Sequence, residues 1–402
     1  PKARDLAANP MDGTAVDCSL EKERRVLTLG KKQMDKPLRG RRFLFFIGDF
    51  AEPFLDGHQS SILGWLRALG CSGAEVAVFS PISSGVRNSE IRVRGIRCFY
   101  AHPPGKTIRC LLSLWRRLND FSPDFFVLRT LAFPTWRHWF FWGIIFILVA
   151  AKRVKLGLAP WGGKGICIRP GWQRWITLIP PLPIAGLEHI ESPGIVFVPG
   201  ERIDSTKDID FLFMNGSTHF GPDFPHYLLC DRGLGTVLET LGLLNKKHPV
   251  RLLLAVPALE QDEGKNWIEE ELSKRGLHHL VEIGGVIDNL AAVLSRTRFF
   301  LLPHSFADTF WYPHSVLEAM YLGAVPLLTE NAVGRFLIED GKSGLLVHPQ
   351  KSEELARKLG HLLAVPQCYE KMRQAAHQEV LDRFGLQARQ EEIGQVFSRL
   401  MG

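Results

Sequence analysis

The sequence predicts an α/β protein made of two Rossmann-like, doubly wound halves. Three observations predict it: short apolar runs ending at Gly or polar residues, helical apolar spacing between those runs, and renewal of the same alternation after the polar stretch Pro199–Asp208.

In the first half, Phe43-Leu44-Phe45-Phe46-Ile47 is continuously apolar and ends at Gly48-Asp49, the pattern of a parallel strand buried on both faces. Gly57-His58 leads into Ile62, Leu63, Leu66 and Leu69 at helical spacing, Gly70 closes that helix, and Ala74 to Phe79 forms the next strand. The alternation continues with a helix over Leu111 to Leu118, a strand over Asp124 to Leu128, an apolar helix, and a strand near Val154 to Leu158. Residues 159 to 193, rich in Pro, Gly and Trp, resist assignment.

The second half restarts with a strand at Ile209 to Met214. Helices at Leu234 to Asn245, Trp267 to Arg275 and Leu290 to Ser295 then alternate with strands at Val250 to Val256, Leu280 to Ile283 and Phe299 to Leu302. After Pro303-His304-Ser305 comes a loop with Asp308, a helix through Val316 to Gly323, a strand at Val325 to Leu328 and a Gly-containing loop, Asn331 to Arg335. Glu370 to Leu400 reads as amphipathic helix with a break near Phe384-Gly385.

The expected domains are a polar, basic extension at 1–40, a first Rossmann-like domain at 41–203, a second at 204–380, and a terminal helix at 381–402 packing back on the first. A length of 402 residues with 46% apolar content supports that many cores. Lys plus Arg number 49 against 42 Asp plus Glu, a net charge of +7 that suits phosphate-bearing ligands or an anionic membrane surface. No zinc-finger spacing, RNA-binding signature or long basic run marks a nucleic-acid module, so none is expected as a partner. Seven scattered cysteines without a Cys-x-x-Cys pair, and an amino terminus unlike a signal peptide, point to a reduced, cytoplasmic protein.

The longest apolar run, Trp139 to Ala151, has thirteen residues, short of the roughly 18 needed to cross a bilayer. With Arg137 before it and Lys152-Arg153 after it, two readings stand: a helix buried in the α/β domain, or a segment at the inner membrane surface.

In an open α/β sheet, ligands bind beyond the carboxyl ends of the strands, so the loops after Leu302 and Leu328 point at one crevice. An amide-rich turn at a helix amino terminus suits phosphate oxygens, and Glu318 has the acceptors for ribose hydroxyls. Diphosphate plus ribose describes a nucleotide sugar. His304 and His314 flank the intervening loop, and Lys164 lies in a Gly-rich stretch; each has a ligand-binding and a purely structural reading.

Two ordered segments, Leu317-Glu318-Ala319-Met320-Tyr321-Leu322-Gly323-Ala324-Val325-Pro326 and Ile338-Glu339-Asp340-Gly341-Lys342-Ser343-Gly344-Leu345-Leu346-Val347, resemble glycosyltransferase family 4 (group 1), which has the GT-B fold. Gly57-His58, Ser122-Pro123-Asp124 and Met372 to Phe384 extend the resemblance more weakly. It implies two facing domains, the first binding the acceptor and the second the donor, a cleft between them, a nucleoside-diphosphate sugar as donor, and transfer with retention to a hydroxyl acceptor; the basic charge and the Trp139 to Ala151 segment point to surface glycan, polysaccharide or glycolipid synthesis. No cofactor is implied, and no metal site is evident.

Position by position, Glu318 matches the second Glu of the family's paired-Glu motif, on the donor ribose. Phe310 stands eight residues upstream, where the first Glu is expected, and Asp308 stands ten upstream. Either Asp308 replaces that catalytic carboxylate across a longer loop, or the carboxylate is absent. Asn215-Gly216-Ser217 stands where the family places an Arg, and Arg232 takes the place of the family's Lys on the diphosphate, where its charge stabilises the leaving group. Ser217, His304, Asn331, Ala332, Val333, Gly334 and Arg335 complete the expected donor site, with Gly57 and His58 on the acceptor side. Two alternatives accompany the transferase: a nucleotide-sugar epimerase on the same fold, and a catalytically silent binding or scaffold protein.

Overall fold

The computed structural model describes residues 38–47, 57–81, 90–93, 95–101, 107–130, 136–160, 176–178, 206–287, 289–304, 314–385, 390, 394–395 and 397–398. Two sheets organise them. The first has seven strands among these residues, in the order β3-β4-β2-β1-β5-β6-β7. They span β1 Arg42–Ile47, β2 Glu75–Pro81, β3 Glu90–Val93, β4 Ile96–Ala101, β5 Phe125–Thr130, β6 Lys155–Pro160 and β7 Ile176–Leu178. All pair in parallel except β3 with β4. Helices α1 (Gly57–Cys71), α2 (Thr107–Phe121) and α3 (Trp136–Ala151) connect them.

The apolar run of β1 divides between two cores as its pleat requires. Phe43, Phe45 and Ile47 join the core on one face, and Leu44 and Phe46 the core on the other. The first of these cores also takes Leu38 from ahead of the strand and Phe397 from near the chain end. The Phe397 ring stands edge-on to Phe43, Trp65 and Phe125, at centroid distances of 5.4, 6.2 and 6.0 Å.

The second sheet has six parallel strands among the described residues, in the order β10-β9-β8-β11-β12-β13. These are β8 Ile209–Met214, β9 Leu252–Ala255, β10 Val281–Ile283, β11 Thr297–Leu302, β12 Val325–Thr329 and β13 Leu345–Val347. Its helices are α4 (Leu234–Leu244), α5 (Asp262–Lys274), α6 (Leu290–Arg296), α7 (His314–Tyr321), α8 (Ala332–Leu337), α9 (Ser352–Ala364) and α10 (Pro366–Phe384). Phe299 and Leu301 face one core, Phe300 and Leu302 the other, so β11 is buried on both sides.

The expected α/β class with two doubly wound sheets is therefore observed, and α10 stops at the anticipated break after Phe384. Two expectations change. Residues 90–101, to which no elements were assigned, form the antiparallel pair β3–β4 around Gly95, whose φ of 84° suits a turn that other residues adopt poorly. Residues 331–335, expected as a loop, contribute most of α8.

The apolar segment around Trp139 is a helix covering the first sheet through Phe141, Ile145 and Val149. Among the described residues, no helix is long and apolar enough to cross a membrane. Residues 179–205, which include most of the expected interdomain linker at Pro199–Asp208, lie outside the described set.

Candidate functional site at the switch point of the second sheet

The second sheet grows outward from β8 in two directions. The chain adds β9 and β10 on one side, then returns to add β11, β12 and β13 on the other. The connections after β8 and β11 therefore leave in opposite directions, and a crevice opens outside the carboxyl ends of these two neighbouring strands. Asn215 follows β8, and Pro303-His304 follow β11.

Asn215 is buried, at 6% exposure, and its Oδ1 accepts the Ser217 backbone N–H at 2.9 Å. That bond turns the chain after β8 and fixes Ser217 at the crevice edge. On the other side of Asn215, Nδ2 reaches the hydroxyl of Tyr227 at 3.4 Å. The same hydroxyl accepts Arg232 Nε–H at 2.6 Å, while the guanidinium carbon stands 5.0 Å from the Tyr227 ring centroid. One aromatic side chain thus aims the cation through a hydrogen bond and a cation–π contact together. Burial pushes the Tyr227 phenol up, but the Asn215 hydrogen bond and the Arg232 charge outweigh it and leave it below the ordinary range.

Tyr227 opens one wide helical turn, Tyr227–Asp231, and Arg232 caps it with its N–H on the Tyr227 carbonyl at 2.8 Å. Gly233 ends that turn with φ 78° and starts α4. A Cβ at Gly233 would lie 2.0 Å from the Pro303 carbonyl oxygen. Only glycine lets the chain ahead of α4 press against the end of β11, and this approach sets Arg232 beside His304.

His304 is 6% exposed. Burial first, and the Arg232 charge second, lower its pKa to about 4, so its imidazole is neutral at pH 7. Its carbonyl accepts a short hydrogen bond from the Thr329 hydroxyl, which ties the end of β11 to the end of β12.

Beyond β12, the expected phosphate-facing loop is replaced by a capped helix. Asn331 Oδ1 accepts the Gly334 N–H at 2.8 Å, so the Asn331 side chain is the cap of α8 and the Gly334 amide is already satisfied. Ala332 is exposed, whereas Val333 and Gly334 are buried; a Cβ on Gly334 would meet the Thr329 carbonyl at 2.1 Å. Arg335 is largely exposed and donates to Glu330 at 2.8 Å.

Glu318 is half-buried on α7. Lys207 fixes the far end of that helix: its Nζ donates to the Leu322 carbonyl at 2.9 Å and to the Ser295 carbonyl at the end of α6 at 2.6 Å. Helix α7 also packs against α1 of the first half. Gly57 and His58, expected on the acceptor side, form the first turn of α1.

The structure thus gathers Ser217, Arg232 and His304 at one crevice and adds Asn215, Tyr227 and Gly233, which the sequence reading had not assigned to it. Asp308, Phe310 and Lys164 lie outside the described residues. Among the described residues, no group of three His, Cys, Asp or Glu is gathered as a set of metal ligands.

Residues 229–365 match the model of the family described as glycosyl transferases group 1. The matched stretch runs from the turn ahead of Arg232 to the end of α9, and it includes His304, Glu318 and Asn331–Arg335. No curated protein matches the sequence. The fold is similar to that of sucrose-phosphate synthase from Thermosynechococcus elongatus, at 14% identity and TM-score 0.57, over 90% of this chain and 99% of that one. It is also similar to Anabaena HepE in complex with UDP-glucose, at 12% identity and TM-score 0.55, over 89% of this chain and 99% of that one. A glycosyltransferase from Rickettsia africae aligns at 12% identity and TM-score 0.56, over 90% of this chain and 98% of that one. At these identities the likeness is one of fold, the two-sheet GT-B architecture. Within that architecture, the second half holds the residues that match the group 1 glycosyl transferase model.

Proposed function

We propose that this chain, whose residues 229–365 match the group 1 glycosyl transferase model, transfers a sugar from a nucleoside-diphosphate sugar to a hydroxyl acceptor. One observation carries the reading: at the switch point of the second sheet, Tyr227 holds the Arg232 guanidinium beside a neutral His304.

In this transfer the bond between the anomeric carbon and the diphosphate oxygen breaks. The acceptor oxygen bonds to the anomeric carbon, and its proton passes to the departing diphosphate. Negative charge builds on the leaving nucleoside diphosphate, and Arg232, permanently protonated and already oriented, stabilises it in the transition state. His304 offers a hydrogen bond to the donor without a second positive charge. Ser217 sits at the edge of the diphosphate, Glu318 binds the ribose, and the capped turn Asn331–Arg335 walls the far side of the crevice. Arg232 supplies the countercharge without a metal ion.

The first half, through the start of α1 at Gly57 and His58, presents the acceptor. Its packing against α7 supports a cleft that closes on the donor and excludes water. The motif resemblance supports transfer with retention, the basic charge and the Trp139 to Ala151 segment favour a growing surface glycan, polysaccharide or glycolipid as acceptor, and the scattered cysteines favour the cytoplasm.

The test incubates the protein with nucleotide sugars, beginning with UDP-glucose, the ligand in the HepE structure, with and without glycan or lipid-linked acceptors. Free nucleoside diphosphate released only with acceptor, and unaffected by EDTA, supports metal-independent transfer. A changed sugar without transfer identifies an epimerase, and a bound but unaltered nucleotide sugar identifies a binding protein.

A further inference from the structure

We propose that the outer face of α2 and α3 docks on a lipid bilayer carrying anionic headgroups. Helix α2 turns Cys110, Leu114, Leu118 and Phe121 into the first sheet and leaves Ile108 74% and Leu112 55% exposed on its opposite side. Helix α3 does the same with Phe141, Ile145 and Val149 inward and Ile147 68% exposed. These three are the most exposed large apolar side chains among the described residues.

They share one height. Both helices follow parallel strands and cover the same core, so they run in the same direction. Lys152 Nζ stands 4.4 Å from the Trp115 ring centroid, which aligns the end of α3 with that point of α2. Ile147 is five residues before Lys152, and Cys110 five before Trp115. At about 1.5 Å rise per residue, Ile147 is therefore level with the Ile108–Leu112 turn.

The charge around these residues has one sign. Arg109 and Arg116 are exposed on either side of Leu112, and Lys152 and Arg153 are exposed at the end of α3. Among the described residues of the two helices, the one carboxylate is Asp120, which lies 3.9 Å from Arg117. Protruding aliphatic side chains ringed by cations match a membrane surface: the aliphatics enter the headgroup boundary while the cations meet anionic lipid. The inference is independent of the transfer reaction, since it uses none of the residues placed at the crevice of the second sheet.

The test is sedimentation of the full chain with vesicles of equal parts phosphatidylglycerol and phosphatidylcholine, and with vesicles of phosphatidylcholine alone. The wild type is expected to bind the former and not the latter. Two variants, Ile108→Ser/Leu112→Ser/Ile147→Ser and Arg109→Glu/Arg116→Glu, should each weaken binding by about tenfold or more. The control Lys246→Glu/Lys247→Glu, with the same change in net charge on the second half, should bind as wild type. Circular dichroism verifies the fold of each variant. Absence of wild-type binding, retention by both variants, or equal loss in the control would overturn the proposal. So would a concentration-dependent dimer that the serine variant abolishes while vesicle binding persists, since the face would then join two copies.

Discussion

Arg232 Nε donates to the Tyr227 hydroxyl at 2.6 Å while the guanidinium carbon stands 5.0 Å from the same ring. The cation at the head of α4 therefore has its orientation set by the turn that precedes it, before any ligand arrives. Preorganised charge is worth more to a developing phosphate charge than a mobile side chain of the same pKa, because little ordering remains to be done.

Tyr227→Phe keeps the ring under Arg232 but removes the hydroxyl that accepts from it. A hydrogen bond to a charged group contributes about 1.5–3 kcal/mol to the fold, so we expect a lower melting temperature and, because Arg232 is no longer held in place, weaker nucleoside-diphosphate binding. Calorimetric titration beside a thermal melt checks both. Arg232→Lys, which retains charge without the fork, is expected to bind weakly as well.

Gly233→Ala tests the approach of α4 to β11. The substitution places a methyl 2.0 Å from the Pro303 carbonyl oxygen at a backbone φ of 78°. Left-handed strain and a backbone clash together are expected to cost about 2–4 kcal/mol in chemical denaturation. An alanine variant as stable as wild type would mean that Arg232 and His304 are not held together by this contact.

Much of this architecture is legible in the chain. Parallel strands buried on both faces produce unbroken apolar runs such as Phe43 to Ile47 and Phe299 to Leu302, and the intervening helices have their own period. Arg232 and His304 were accessible as residues flanking a helix start and a strand end. Tyr227 was not, because nothing local reveals that its hydroxyl turns toward a cation. The Gly233–Pro303 approach links positions seventy residues apart, beyond any local pattern. Two local signals do mark features of the fold. Asn331 three residues before Gly334 is the spacing of a helix cap, and Ile91, Val93 and Ile96 alternate with Arg92, Arg94 and Arg97 around Gly95 as a hairpin does.

Asn331→Ala removes the cap of α8 and leaves the Gly334 N–H without its side-chain acceptor. The expected loss is about 1 kcal/mol of stability, measured by urea denaturation. Asn331→Asp or Asn331→Ser, which retain a capping oxygen, should recover most of it.

His304 makes stability depend on pH with a defined sign. Its pKa is about 4 in the folded chain against 6.5 for the ordinary imidazole. As pH falls from 6.5 toward 4, the unfolded chain takes up the proton first. The stability conferred by the neutral buried ring is thus present above the unfolded pKa and is lost as pH falls through this window, by an amount on the order of 3 kcal/mol. His304→Asn, which has no proton to gain, should show a shallower decline over the same window.

The central claim is that the crevice beyond β8 and β11 holds a nucleoside diphosphate through Arg232. Titration calorimetry of UDP, ADP and GDP into the wild type, Arg232→Ala and Glu318→Ala measures it directly. We expect saturable binding of at least one nucleotide by the wild type, at least tenfold weaker binding by Arg232→Ala, and a clear loss in Glu318→Ala. Equal affinity in the wild type and Arg232→Ala would contradict it.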